Sequence, residues 1–170
     1  GDHIAFVGNT FADQLRSHGF LETLLLQRSA GNPVSIRNLG WAGDMLTARD
    51  RPTNFPTEAS TLAAHKTDVI IACFGMGESF AGESALMEFK NNLTAFIASH
   101  RGKKYNGKSE VRLVLVSPIA YENLGLRTPR WEERNRELSA YTRIMSETAS
   151  KTGVPFVDLY GPTTELMKGK

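Results

Sequence analysis

A threonine hydroxyl between an apolar run and a helical segment is the first group in the chain with a clear use in covalent chemistry. The run ends at Gly8-Asn9, Thr10 follows, and helical spacing begins directly afterwards. Free backbone N–H groups at a helix N-terminus favour developing negative charge, which makes Thr10 a candidate nucleophile beside an oxyanion site. Judged by this loop alone, the simpler interpretation is that Thr10 is the helix N-cap.

Two glycine-rich loops and an acid follow later apolar runs. The loop from Asn38 to Asp44 contains two glycines, which allow a tight turn and a close approach of backbone N–H groups to an oxyanion. A second glycine-rich loop runs from Phe74 to Phe80, and Ser117-Pro118 makes a sharp exit from the fourth run. Asp158 places a carboxylate at the end of the fifth run.

The loops follow five short apolar runs rich in β-branched residues, and these runs are expected to be the strands that position them. They alternate with segments of helical spacing, which predicts βαβ units around a parallel sheet whose strands are covered on both faces. In such sheets ligands bind at the carboxyl ends of the strands, so the loops are expected to meet there. We predict a three-layer αβα sandwich, flavodoxin-like and doubly wound, with the five-stranded parallel sheet in the order 2-1-3-4-5. The predicted strands are His3 to Gly8, Val34 to Asn38, Asp68 to Phe74, Val111 to Ser117 and Pro155 to Leu159.

Apolar residues at three- and four-residue steps predict amphipathic helices between the strands. One of them is expected to begin with Thr128 as N-cap and Pro129 as first helical residue, and to end at Gly153. The predicted helical segments are Phe11 to Arg28 with an interruption at Gly19, Thr57 to Lys66, Leu86 to Ile97 and Trp131 to Ala149.

Length and composition are those of one globular domain. A chain of 170 residues buries about two thirds of its unfolded surface, which predicts a single domain over residues 1–170. No apolar run approaches the ~20 residues that span a bilayer, so we expect no membrane span. Twenty Lys and Arg against eighteen Asp and Glu give a charge of only +2 with scattered basic residues, which argues against nucleic acid as a partner. The single cysteine, Cys73, lies inside an apolar run and is expected to be a buried strand thiol.

Two motif matches are interpreted as coincidences. Gly102 to Ser109 has P-loop spacing, but it follows a predicted helix and precedes a predicted strand, which is the wrong order for a nucleotide site. Asn92-Leu93-Thr94 fits a glycosylation acceptor inside a helical pattern. No pair of histidines, cysteines or acids has metal-ligand spacing, so neither a metal nor another cofactor is predicted.

The order and spacing of the strand-end loops resemble those of the GDSL, or SGNH, family of esterases. That family has a strand leading into G-D-S at its nucleophile, an N-x-x-x-G loop, G-x-N-D after the third strand, a proline turn after the fourth and a V-D-L-like fifth strand. More narrowly, the chain resembles GDSL-type domains embedded in large multidomain proteins of planctomycete-like bacteria. The matching segments are Gly8-Asn9-Thr10, Asn38 to Gly43 with one extra residue, Gly75-Met76-Gly77-Glu78, Ser117-Pro118 and Val157-Asp158-Leu159.

The resemblance implies an esterase acting on a small ester, such as an acetyl group on a carbohydrate. Thr10 would be the nucleophile, and the N–H groups of Thr10 and Gly43 would bind the oxyanion. Gly77 stands where the family has an asparagine that also binds the oxyanion. The resemblance further suggests a secreted or periplasmic location. The positions implied for substrate binding are Asn9, Asn38, Trp41 and Glu78.

Three departures weaken the implied catalytic set. Thr10 replaces a serine, and a β-branched alcohol is a more hindered nucleophile. Gly77 lacks the donor whose loss typically costs on the order of 10²–10³ in turnover. The family's D-x-x-H motif, which supplies the base, would lie beyond the fifth strand, so we expect this domain to lack its C-terminal catalytic segment. None of the four histidines stands at that position; they are His3, His18, His65 and His100.

Three functions stay open on the sequence. The first is an esterase whose base comes from residues missing from the chain. The second is a catalytically inactive domain of the same fold that binds a carbohydrate or a neighbouring domain. The third is a flavodoxin-like binder of a phosphorylated cofactor at the first loop. The start at Gly1, with no initiator Met and no leader, suggests a piece of a longer protein, whose other domains would then be partners.

Overall fold

All five predicted strands form, and six helices connect and flank them in the described part of the chain. A computed structural model gives the structure of residues 1–168. Short 3₁₀ turns at Glu78–Ala81, Glu83–Ala85 and Gly125–Arg127 interrupt the longer connections. The elements are β1 His3–Gly8, α1 Thr10–His18, α2 Phe20–Arg28, β2 Ser35–Asn38, α3 Glu58–Ala64, β3 Val69–Cys73, α4 Leu86–His100, β4 Arg112–Val116, α5 Trp131–Thr152, β5 Phe156–Val157 and α6 Tyr160–Met167.

The strands form one parallel sheet in the order β2-β1-β3-β4-β5, which confirms the predicted topology. Side chains of alternate residues point to opposite faces of the sheet. One face packs against α3, α4 and α5 around the buried side chains of Leu62, Leu93 and Tyr141. On the other face, Ala12 of α1 packs against Cys73. Helices therefore cover both faces, as a parallel sheet requires.

Helix boundaries follow the sequence at two positions and depart from it at one. Gly19 has φ of 65° and separates α1 from α2, as its interruption of the helical pattern predicted. Gly153 has φ of 72° and ends α5. The predicted start of α5 is wrong, because the helix begins at Trp131 after a left-handed Arg130. The Thr128 hydroxyl instead accepts a hydrogen bond from the Leu124 N–H (2.7 Å), which closes the turn before the helix.

Helix α6 was not predicted, because its first turn contains glycine and proline. Contacts to the end of β4 hold this helix in place. The Ser117 hydroxyl oxygen accepts hydrogen bonds from the N–H groups of Leu159 (2.8 Å) and Tyr160 (3.0 Å). The Thr163 hydroxyl accepts one from the Ala120 N–H (2.8 Å). Tertiary contacts therefore override the low helix propensity of this segment. Among residues 1–168, no helix combines the length and apolar character needed to cross a membrane.

Replacing Gly8 with alanine is expected to destabilise the fold far more than replacing Gly31. Both glycines have positive φ, 128° and 91°, so alanine is strained at either. At Gly8 a Cβ atom would also lie 2.1 Å from the carbonyl oxygen of Cys73, whereas nothing lies within 4 Å of one at Gly31. We expect Gly31→Ala to lower the free energy of unfolding by about 1–2 kcal/mol. Gly8→Ala should cost at least about 2 kcal/mol more, measured by urea unfolding. Equal stability of the two variants would contradict this explanation.

Candidate active site

The loop after β1 separates the helix cap from the candidate nucleophile. The Asn9 N–H donates to the carbonyl of Cys73 (3.1 Å), which anchors the loop to β3. The Asn9 side-chain oxygen accepts a hydrogen bond from the Phe11 N–H (3.0 Å), so Asn9 is the N-cap of α1. The interpretation of Thr10 as the N-cap is therefore wrong. Thr10 is the first helical residue, and its side chain is exposed at the carboxyl end of β1.

The hydroxyl of Thr10 contacts the loop that follows β2. Thr10 Oγ1 accepts a hydrogen bond from the N–H of Gly43 at 3.2 Å. Gly43 has φ of 85°, a conformation that favours glycine, so this residue type suits the turn that aims its N–H at Thr10. If Thr10 Oγ1 bonded to an acyl carbon, the acyl oxygen would lie near both the Gly43 N–H and the N-terminus of α1. Both features stabilise an oxyanion.

Asn38 and Gly40 hold this second loop against α1. The Asn38 amide nitrogen donates to the carbonyl of Ala12 (2.7 Å), and its side-chain oxygen accepts a hydrogen bond from the Gly40 N–H (2.8 Å). A Cβ atom on Gly40 would lie 2.5 Å from the backbone nitrogen of Asp13, so only glycine lets the loop approach so closely. The Trp41 N–H donates to the carbonyl of Gly8 (2.9 Å). These contacts give Asn38 a positioning role for Gly43 and Trp41.

Glu78 ties the loop after β3 to the same region. Its two carboxylate oxygens accept hydrogen bonds from the backbone N–H groups of Leu46 (2.9 Å) and Gly75 (2.8 Å). Burial raises the pKa of Glu78 above its ordinary value, although these N–H groups favour the carboxylate form. The sequence suggested Glu78 for substrate binding. In the structure its carboxylate is a cross-link between the second and third loops.

At Gly77 a methionine fills the space beside the backbone. A Cβ atom on Gly77 would lie 2.9 Å from Cγ and 3.3 Å from Sδ of Met45. Met45 belongs to the segment that Glu78 anchors, so the same arrangement brings it to Gly77. The residue offers no side-chain donor, and the volume that an asparagine would need is taken by a thioether.

The fourth loop adjoins the third through Pro118, because a Cβ atom on Gly75 would lie 3.1 Å from Pro118 Cγ. The loops after β1, β2, β3 and β4 therefore meet at the carboxyl edge of the sheet, although they are far apart in sequence. Within residues 1–168, no three His, Cys, Asp or Glu side chains form a group suited to a metal ion.

The histidines lie away from this edge, and none of them contacts Thr10 in the described part of the chain. His3 begins β1, at the opposite end of the strand from Gly8, and its ring lies 5.1 Å from that of His65. His18 is exposed in the last turn of α1. His100 ends α4, where its Nδ1 lies 3.0 Å from the Tyr105 hydroxyl. Burial lowers the pKa of His100 to about 4, so this side chain is neutral at pH 7.

A group of charged and aromatic side chains beside the cleft was not predicted from the sequence. Arg51 forms two hydrogen bonds with the buried carboxylate of Asp44 (2.6 and 2.8 Å). Its guanidinium lies 4.6 Å from the ring centroid of Trp41, and the Trp41 ring meets Phe55 edge-on at 5.5 Å. The signal available in the sequence was the arginine and aromatic content of the long connection after Asp44.

Solved structures share this fold at low sequence identity. A serine-to-alanine catalytic mutant of Axe2, an acetylxylan esterase from Geobacillus stearothermophilus, matches with a TM-score of 0.71 and 19% identity, covering 100% of this chain and 81% of that chain. LAE5, an α/β hydrolase from the metagenome of Lake Arreo, Spain, matches with a TM-score of 0.69 and 15% identity over 100% and 82%. A gut microbial diltiazem-metabolizing enzyme matches with a TM-score of 0.71 and 18% identity over 98% and 38%. At these identities the likeness establishes the fold alone.

Family membership comes from the sequence itself. A search of curated proteins found no match. The sequence matches the model of the GDSL-like lipase/acylhydrolase family over residues 1–168, which includes every loop of the candidate site. The chain therefore belongs to the GDSL-like lipase/acylhydrolase family.

Proposed function

We propose that this domain hydrolyses a small ester, such as an acetyl ester of a carbohydrate, with Thr10 as the nucleophile. The observation that carries the proposal is the 3.2 Å contact between Thr10 Oγ1 and the Gly43 N–H at the N-terminus of α1. An acylated sugar is supported by the fold shared with Axe2, which is described as an acetylxylan esterase. The substrate is therefore an ester whose acyl group fits at Thr10 beside Gly43.

The reaction has two acyl-transfer steps. The Thr10 oxygen attacks the acyl carbon while a base removes its proton, and the bond to the alcohol breaks as the alcohol takes up a proton. Water then attacks the acyl-threonine and releases the acid and the free hydroxyl. The N–H groups of Gly43 and Thr10 stabilise the oxyanion in both steps. Asn9 and Asn38 hold this geometry, Trp41 borders the substrate, and Gly77 contributes backbone only.

The proposed reaction needs a base to remove the Thr10 proton. Within residues 1–168 no histidine contacts Thr10, and an unassisted hydroxyl is a weak nucleophile. Axe2 catalytic mutants with an aspartate or a histidine replaced by alanine are among the matched structures, which supports an aspartate and a histidine as the groups that assist the nucleophile in a reaction of this kind.

A second candidate function is a catalytically inactive domain that binds a carbohydrate or a neighbouring domain at the same cleft. The packing of Met45 against Gly77 favours it, because the oxyanion position has lost its side-chain donor and the space for one. The two candidates differ in whether Thr10 can be acylated when a base is present.

Added imidazole is expected to restore hydrolysis that depends on Thr10. We expect little turnover of p-nitrophenyl acetate by the chain alone, because no histidine of residues 1–168 contacts Thr10 to act as its base. With imidazole as a substitute base, the rate should exceed that of Thr10→Ala measured under the same conditions. Thr10→Ser should exceed both, since its alcohol is less hindered. The measurement is the absorbance of released p-nitrophenolate against imidazole concentration.

Two outcomes would contradict this expectation. Turnover without imidazole that disappears in Thr10→Ala would show that residues 1–168 contain a base. Identical imidazole-dependent rates in the wild type, Thr10→Ala and Thr10→Ser would favour the inactive binding domain.

A side-chain donor at position 77 is expected to raise the rate only when Met45 is made smaller. Gly77 has φ of −64°, so its backbone accepts asparagine, but Met45 occupies the space. Gly77→Asn alone should cost about 1–3 kcal/mol of stability through overpacking. Gly77→Asn with Met45→Ala should fold and hydrolyse p-nitrophenyl acetate up to ~10²-fold faster than Met45→Ala alone, with imidazole present. A double variant no faster than Met45→Ala would show that the oxyanion is not held beside residue 77.

A further inference from the structure

A cavity of about 540 Å³ opens beside the loop that carries Gly43. It lies between that loop, β2 and the start of α3. Its lining combines cationic and aromatic side chains, although the net charge of the whole chain is only +2. The lining residues that matter are Arg16, Arg37, Arg49, Arg51, Trp41 and Phe55.

Three of the four arginines have their charge balanced by a carboxylate. Arg37, in β2, is exposed and forms no ion pair within residues 1–168. The cavity therefore presents one guanidinium that is available to a ligand. Arginine matches a carboxylate with two parallel hydrogen bonds, so a single carboxylate is the fitting counter-ion. The balanced pairs are Arg16 with Asp13, Arg49 with Glu58, and Arg51 with Asp44.

The aromatic side chains form a preorganised apolar surface in the same cavity. Trp41 and Phe55 are 39% and 44% exposed, so both rings offer area to a ligand. Arg51 lies against the Trp41 ring and is itself held by the buried Asp44, which limits the freedom of the indole. Rigid aromatic area with a few polar groups is typical of small-ligand sites, and the C–H face of a sugar ring packs on such a surface.

The cavity lies next to the candidate nucleophile. Trp41 is two residues from Gly43, so their Cα atoms are at most ~7 Å apart. The Trp41 N–H donates to the carbonyl of Gly8, two residues before Thr10. A sugar unit held on Trp41 would therefore place a neighbouring acylated unit toward Thr10.

We propose that this cavity binds a uronate unit of the carbohydrate whose ester is hydrolysed at Thr10. Arg37 pairs with the uronate carboxylate, and the rings of Trp41 and Phe55 contact the sugar face. The proposal rests on the proposed function for the identity of the ester. Binding of an unacylated acidic sugar, however, requires neither the hydroxyl of Thr10 nor a base.

The test compares trigalacturonate with neutral xylotriose, neither of which carries an ester. The chain has two tryptophans, so Trp131→Phe leaves Trp41 as the only indole reporter. In this background we expect trigalacturonate to change the Trp41 fluorescence saturably and to bind at least tenfold more tightly than xylotriose. Added salt should weaken the binding of trigalacturonate but not the binding of xylotriose. Isothermal titration calorimetry of the wild type checks the same difference without a substitution.

Matched arginine variants separate a specific pair from general surface charge. Arg37→Gln should lower the affinity for trigalacturonate at least tenfold and leave the affinity for xylotriose unchanged. Arg143→Gln changes an exposed arginine on α5 that does not line this cavity, and it should change neither affinity. Thr10→Ala should bind as the wild type does, so that binding and hydrolysis are scored separately. Equal affinity for the two sugars, or an unchanged Arg37→Gln, would overturn the uronate proposal. Imidazole-dependent hydrolysis at Thr10 would in that case still support the esterase.

Discussion

The close passage of β1 along β3 at Gly8 is the constraint on which the candidate site depends. The two backbones approach so closely that a single Cβ atom would collide with the carbonyl of Cys73. This contact ends β1, and the next residue, Asn9, immediately donates to the same carbonyl and caps α1. The end of β1 at Gly8 and the cap at Asn9 together place Thr10 at the N-terminus of α1. The loops after β2, β3 and β4 pack around the position where β1 ends beside β3.

Half-buried polar side chains hold the neighbouring loops against the end of β1. Asn38 bonds the second loop to α1, and Glu78 bonds the third loop to the second. Such groups are costly to bury unless they are fully hydrogen-bonded, and here they are paired with backbone atoms. The cleft is thus built on backbone contacts that do not depend on which side chains carry the chemistry. The family architecture is therefore compatible with a threonine at position 10 and a glycine at position 77.

The sequence predicted the sheet well because its signals are local and repeated. Apolar runs such as Asp68 to Phe74 are continuous where both sheet faces are covered, and the loops after them could be placed at one edge. The α6 helix escaped prediction because hydrogen bonds from its backbone to Ser117 hold a segment of low propensity. The contacts of Arg51 with Asp44 and Trp41 were also not predicted, for a similar reason. They join residues of one long irregular loop, for which periodicity carries no information.

Because the helix cap and the proposed nucleophile are different residues, each can be substituted without the other. Asn9 stabilises the start of α1, and Thr10 contributes its hydroxyl without serving the helix. A threonine codon becomes a serine codon by one base change, and that change leaves the cap untouched. Selection on catalysis and selection on folding therefore act on different residues. A substitution at residue 10 can therefore change the reactivity of the hydroxyl without removing the hydrogen bond that begins the helix.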